Sequence, residues 1–238
     1  MGKPQDHRAQ NDKAVDCLLV RVRAGETCDA HGLGVTHLDR EQLSSLREAA
    51  RDALPDQSGP PVLHSLNCNG IIFPEKADFD GIIFRGRAKF LEASFRETAH
   101  FSNSIFEDDG GFSGAFFEKT ADFRNGYFSD SIWLVGATFV GSAWFHNVVV
   151  AHGAGFDRAV FQGPARFLSA TFRSAARFDK AVFQDVAGFS SVEFSGGAIF
   201  DGAIFEKMAW FDRASFSGNA HFSGVSFQSV ARFDKASF

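Results

Sequence analysis

From Phe73 to Phe238 the phenylalanines keep to one ruler of alternating six- and five-residue steps. The ruler has thirty-one marks; Phe fills twenty-nine, Leu134 and Val150 fill the other two, and only Phe116 falls off it. A period sustained over this length restricts the chain to a repeat architecture. Two residues before each mark stands Ala, at twenty-two of the thirty-one positions, or else Ile, Val, Gly or Ser. That i−2, i pairing is the period of a strand. Between pairs lie Gly, Ser, Asp, Asn, Arg and Lys, which suit turns. An eleven-residue period can also mark a right-handed helical supercoil. Here, however, the apolar spacings run 2, 3, 2, 4, and eighteen glycines lie from Gly70 onward. Each would cost a helix interior about 1 kcal/mol.

The units ADFDG (77–81), ASFRE (93–97) and ADFRN (121–125) resemble the pentapeptide-repeat family over roughly residues 66–238. The resemblance implies an all-β solenoid, a right-handed quadrilateral β-helix with four short faces per coil. The family steps by five, whereas this chain alternates five and six, so four faces need 22 residues. Positions 79, 101, 123, 145, 167, 189, 211 and 233 are all Phe, which places eight rings in one inward column. Two opposite corners of each coil then carry an extra residue, as in FRGRAKF (84–90) and FQGPARF (161–167). An eleven-residue coil would be too narrow for its Phe rings. The 165 residues from Phe73 to Phe238 make 7.5 coils, a rod about 36 Å long.

Residues 1–61 contain no Phe and carry ten acidic and eight basic residues. They are expected to form a helical N-terminal cap or appended region with a linker, ahead of a β-helix over 62–238. Asp39 and Gln42 form a capping-box pattern. Leu43, Leu46, Ala50, Ala53 and Leu54 share the face of the helix that follows, and Pro55 ends it. Val15, Leu18, Leu19 and Val22 mark an earlier helix, and DALPDQSGPP (52–61) reads as a breaker. At the other end the chain stops on a core mark. Either the last coil pairs with a second copy, giving a homodimer through an uncapped C-terminal coil, or the sequence is truncated there.

The formal charge of −5 excludes a broadly basic nucleic-acid binder. Cys17, Cys28 and Cys68 form no metal-like cluster and suit a reduced, cytoplasmic protein. The N-terminus shows no apolar leader, Asp6 stands where a myristoylation signal wants Ser or Thr, and no apolar run is long enough for a membrane span. No nucleophile elbow, phosphate loop or paired-His motif appears, so no catalytic residue, cofactor or metal is assigned. Asp157, Asp179 and Asp201 recur at 22 residues and stack as a ladder of like charges. A divalent cation could bridge them, but the following Arg158 and Lys180 favour local neutralisation, and Asp212-Arg213 and Asp234-Lys235 repeat the pattern.

The outward residues suggest surfaces. On one five-step face the column reads Phe116, Thr138, Val160, Val182, Ile204; its opposite reads Ile83, Ile105, Tyr127, Val149, Thr171. Apolar stripes of this length mark contact surfaces, although β-branched residues also suit strands for their own sake. On a six-step face, Trp144, Arg166, Trp210 and Arg232 share a second candidate surface.

Three functions compete. The first is a non-enzymatic interaction protein that presents β-helix faces to a protein partner. The second follows from the resemblance: some members imitate duplex DNA and bind DNA gyrase or topoisomerase. Residues 62–238 hold nineteen acidic and sixteen basic residues, a net of −3, where a 36 Å stretch of duplex carries about twenty charges. The third is an enzyme with an unrecognised N-terminal site. The first reading is preferred.

Overall fold

The computed structural model describes residues 4–54 and 59–238. Pro55, much of the expected breaker and the first three residues lie outside them. Thirty-three two-residue strands build four parallel sheets, one of nine strands and three of eight. Going once around a coil, face 1 carries Ile72–Phe73, face 2 Ala77–Asp78, face 3 Ile83–Phe84 and face 4 Ala88–Lys89. Ser94–Phe95 then returns to face 1. Registers such as Ile105↔Tyr127 and Ala121↔Ala143 repeat the 22-residue coil. The four-sided solenoid expected from the ruler is therefore the fold.

The alternation of five and six comes from two kinds of corner. After each inward ring of faces 2 and 4 the chain closes a four-residue turn, as in the bonds from Ala137 N–H to the Leu134 carbonyl (3.1 Å) and from Ala181 N–H to the Phe178 carbonyl (3.0 Å). The third residue of every such turn has positive φ, between +55° and +68°, at eleven-residue intervals from Gly70 to Lys235. This backbone belongs to Gly and, less freely, Asn. Gly81, Gly136, Asn103 and Asn125 meet that demand. Arg158, Lys180, Arg213 and Lys235 occupy the same position against their conformational preference. After the rings of faces 1 and 3, one more residue separates the ring from the next inward Ala, so the extra residue sits at the corners expected.

Phe79, Phe101, Phe123, Phe145, Phe167, Phe189 and Phe211 are at most 1% exposed. Consecutive rings in that column stack with centroids 4.8–5.1 Å apart and planes within 6° of parallel. Rings of face 4 meet them edge-on, as Phe167 does Phe178 at 5.5 Å and 90°. Where Leu134 and Val150 interrupt the rings, Ile132 and Val148 replace the usual Ala two residues earlier, and all four are buried. Added volume at one inward position compensates for volume lost at the next.

The front end is covered. Helix α1 (Pro4–Arg23) buries Val15, Leu18 and Val22, and helix α2 (Arg40–Asp52) buries Leu43, Leu46, Ala49 and Ala50. Asp39 and Gln42 form the expected capping box. Arg47 of α2 donates to the Asp80 carbonyl at 2.7 Å, fixing the helix on the first coil of face 2. Cys28–Asp29 pairs with Leu66–Asn67, and His37 bridges to Ile72, so β-hydrogen bonding begins within the helical region and crosses residue 61. Cys28 and Cys68 are buried free thiols, and Cys17 is exposed. At the far end Phe238 stacks on Phe216 yet stays 75% exposed.

Replacing Phe167 by Ala should cost about 3–5 kcal/mol in denaturant unfolding. Phe167→Asp, which would leave a charge unpaired in the core, should lose the cooperative transition altogether; an unchanged melting temperature would refute the inward packing. Lys180→Gly removes the strain of a left-handed backbone, so it should stabilise by up to about 1 kcal/mol and raise the melting temperature.

Candidate functional site

Each outward column follows one sheet. On face 1, Phe116, Thr138, Val160, Val182 and Ile204 pair successively in register. Phe116 is 40% exposed, and the other four are half-buried by their neighbours in the stripe. On the opposite face, Ile83, Ile105, Tyr127, Val149 and Thr171 form the second stripe, also half-buried.

On face 2 the column runs Asp122, Trp144, Arg166, Gly188, Trp210, Arg232. Its upper part is closed on itself. Asp122 is fully buried, and its two oxygens accept from Arg124 Nε at 2.9 Å and a terminal guanidinium nitrogen at 2.7 Å. The same guanidinium lies 4.7 Å above the Trp144 ring. At the lower end Arg232 is held by Asp234 at 2.6 Å and Asp212 at 3.5 Å. Of the four residues expected to form this surface, Trp144 and Arg232 are thus engaged by neighbours. Arg166 and Trp210 meet across Gly188, at a cavity of about 440 Å³ lined also by His146, Leu168, Val186 and Ser190. Partial burial, with Arg166 and Arg124 nearby, pushes the His146 imidazole below its usual range; Asp122 opposes this only weakly.

Further exposed apolar side chains sit at the corners, outside the outward columns. Val140, Met208 and Val230 lie where the chain passes from face 1 to face 2, and Leu168 where it leaves face 2; they are 36%, 40%, 58% and 47% exposed. The signal was available in the sequence, since these positions are otherwise mostly polar. It was masked because they fall outside the Ala–Phe pairs.

Two of the three ladder carboxylates, Asp157 and Asp179, are neutralised, but not by the residues expected, while Asp201 accepts from the Ser223 N–H at 2.8 Å. Arg177, from the outward column of face 4, reaches Asp157 at 3.0 Å and Asp179 at 3.2 Å, while Arg232 from face 2 serves Asp212 and Asp234. The adjacent Arg158, Lys180, Arg213 and Lys235 sit at the left-handed turn positions instead. Burial still raises the Asp179 carboxyl, and Arg177 acts against that rise. Asp108, Asp109 and Asp130 also approach one another. Arg87, the Trp133 indole N–H and His152 take one each, at 3.8, 3.3 and 3.8 Å.

A family model described as pentapeptide repeats (9 copies) matches residues 69–115, 145–192 and 167–215. No curated protein and no solved structure matches the chain. No helix among the described residues is long and apolar enough to cross a membrane.

The ring protons of His146 should titrate below the free-imidazole value of about 6.5, and Arg166→Gln should move that titration upward. Because the folded value is depressed, the unfolded chain takes up this proton first. The contribution to stability is full above the unfolded value and is lost as pH falls through the interval down to the folded one. NMR titration of the two proteins checks both signs.

Proposed function

We propose, from the premise that the chain belongs to the pentapeptide-repeat family, that it is a non-enzymatic cytoplasmic interaction protein whose solenoid binds a protein partner along one edge. That edge joins face 1 to face 2. The observation that carries the reading is where large apolar side chains are exposed. Leaving aside Val20 of α1 and the terminal Phe238, Phe116, Val140, Met208 and Val230 lie on face 1 or at its corner with face 2 and Leu168 at the far corner of face 2, whereas Leu91 lies beside face 4 and Trp133 on it, and the outward column of face 3 has none among the described residues. Between them run Val160, Val182 and Ile204 on one side and Trp144 and Trp210 on the other. Aromatic and Arg-rich patches with apolar surroundings are the composition of protein-binding hot spots. A rigid parallel sheet adds preorganisation, which lowers the entropic cost of association.

Duplex mimicry is less well supported. Asp157 and Asp179 are offset locally by Arg177, and Asp212 and Asp234 by Arg232, rather than left to form a continuous acidic face. Affinity capture from the native host's lysate, run beside Val182→Asp, tests the proposal. Val182 is half-buried on the outside, so the variant should retain its solenoid circular-dichroism spectrum and melting transition. The expected result is a defined partner retained by the parent and lost by Val182→Asp. A partner held equally by both proteins would refute binding along this edge.

A further inference from the structure

We propose that the cavity at Gly188 is a binding site for a small planar aromatic carboxylate. This inference does not depend on the protein-binding reading. It starts from the glycine. Gly188 interrupts a column of large outward side chains, with Arg166 before it and Trp210 after it. Neither its backbone nor its surroundings require glycine. Its φ is not in the left-handed region, and an added Cβ would meet nothing closer than the Ala165 carbonyl oxygen at 3.9 Å and Trp210 Cε3 at 4.0 Å. Gly155, in the face 4 column, is the contrast. An added Cβ there would lie 2.7 Å from Trp133 Cε3, so that glycine is required by the indole resting on it. Gly188 leaves an opening that no side chain among the described residues fills.

The walls define what would fill it. The six-membered edge of the Trp210 indole borders the floor, and Val186 and Leu168 supply the apolar rims. Aromatic faces of this kind favour a flat ring packed offset or edge-on. The charge is equally directed. Asp122 is satisfied by Arg124 and Asp234 by Arg232, which also lies within ion-pair distance of Asp212 at 3.5 Å. Among the described residues Arg166 has no carboxylate within ion-pair distance, although it lines the cavity and is exposed. Its guanidinium is a planar fork suited to a carboxylate and able to stack on an aromatic ring. Ser190 and His146 add further polar atoms at the rim. A flat apolar body seated between Gly188 and Trp210, with its carboxylate toward Arg166, uses each of these features.

The protein has three tryptophans, so the indole N–H region of a ¹⁵N–¹H NMR spectrum isolates the Trp210 reporter once Trp210→Phe has assigned it. The probe is 2-naphthoate, compared with neutral 2-naphthalenemethanol and cationic 2-naphthylmethylammonium. We expect naphthoate to shift the Trp210 indole and Gly188 amide signals saturably, with affinity in the order anion, neutral, cation. Gly188→Val places a side chain that the structure has room for, and should abolish binding while the remaining spectrum is kept. Arg166→Gln should weaken naphthoate by about fivefold, the scale of an exposed ion pair, and leave the alcohol unchanged. The proposal is overturned if the three probes bind alike, if Gly188→Val binds as the parent does, or if shifts appear only around the exposed Phe238 end.

Discussion

Strands in a sheet lie about 4.8 Å apart, whereas contacting carbon atoms prefer about 3.5–4.0 Å. A stack of flat rings, one per coil, must reconcile the two lengths. Nearly parallel Phe planes with centroids 4.8–5.1 Å apart do so by being offset along one another. The backbone ladder and the ring ladder then share one repeat, and neither is stretched to suit the other. Edge-on contacts between the face 2 and face 4 columns, such as Phe145 with Phe156 at 5.4 Å, fill the width of the coil with the same residue type. Departures from this scheme have to be made in pairs. Leu134 and Val150 are tolerated beside Ile132 and Val148, which restore apolar volume nearby.

The rings also dictate the corners. Each ring must point inward again after a change of direction, and the short corners achieve this in a turn whose third residue is left-handed. In the first coils that residue is mostly Gly or Asn. Later, Arg158, Lys180, Arg213 and Lys235 take it, which places cations at the edge of the rod at a conformational cost. Asn103, Asn125 and Asn147 add something in return: their amides form a ladder with 3.1 Å steps from coil to coil. The helical cap meets a separate need, because the first coil would otherwise present unpaired strand edges.

The coil length, the inward columns and the placement of Phe116, Val182, Trp144 and Arg166 were legible in the sequence because all of them follow from a single period, and the capping box was legible from the local Asp39 to Gln42 spacing. What was not legible depends on interactions between columns. Arg177 reaches Asp179 two residues along and Asp157 on the preceding coil, whereas spacing along the chain pointed instead to their immediate neighbours. Arg124 turns back over Trp144 and Asp122, so one member of the expected surface is engaged. The pairing of Cys28–Asp29 with Leu66–Asn67 spans 38 residues outside the ruler, and no repeat announces it.

A strict repeat also determines where function can be written. Inward positions are committed to packing, and the short turns are committed to one backbone conformation, so only outward and long-corner residues can vary without damaging the coil. Variation there acquires meaning when it resists a structural explanation. Trp133 over Gly155 is a matched pair, since the small residue exists to seat the large one. Gly188 has no such counterpart. It lies between an indole that stays partly uncovered and a guanidinium with no carboxylate in ion-pair distance among the described residues, on a side of the rod that gathers most of its exposed apolar side chains. Stability alone would favour a β-branched residue at that strand position. Glycine there gives up packing and strand propensity to keep a floor open, and an open floor beside an unpaired cation is what recognition of an anion requires.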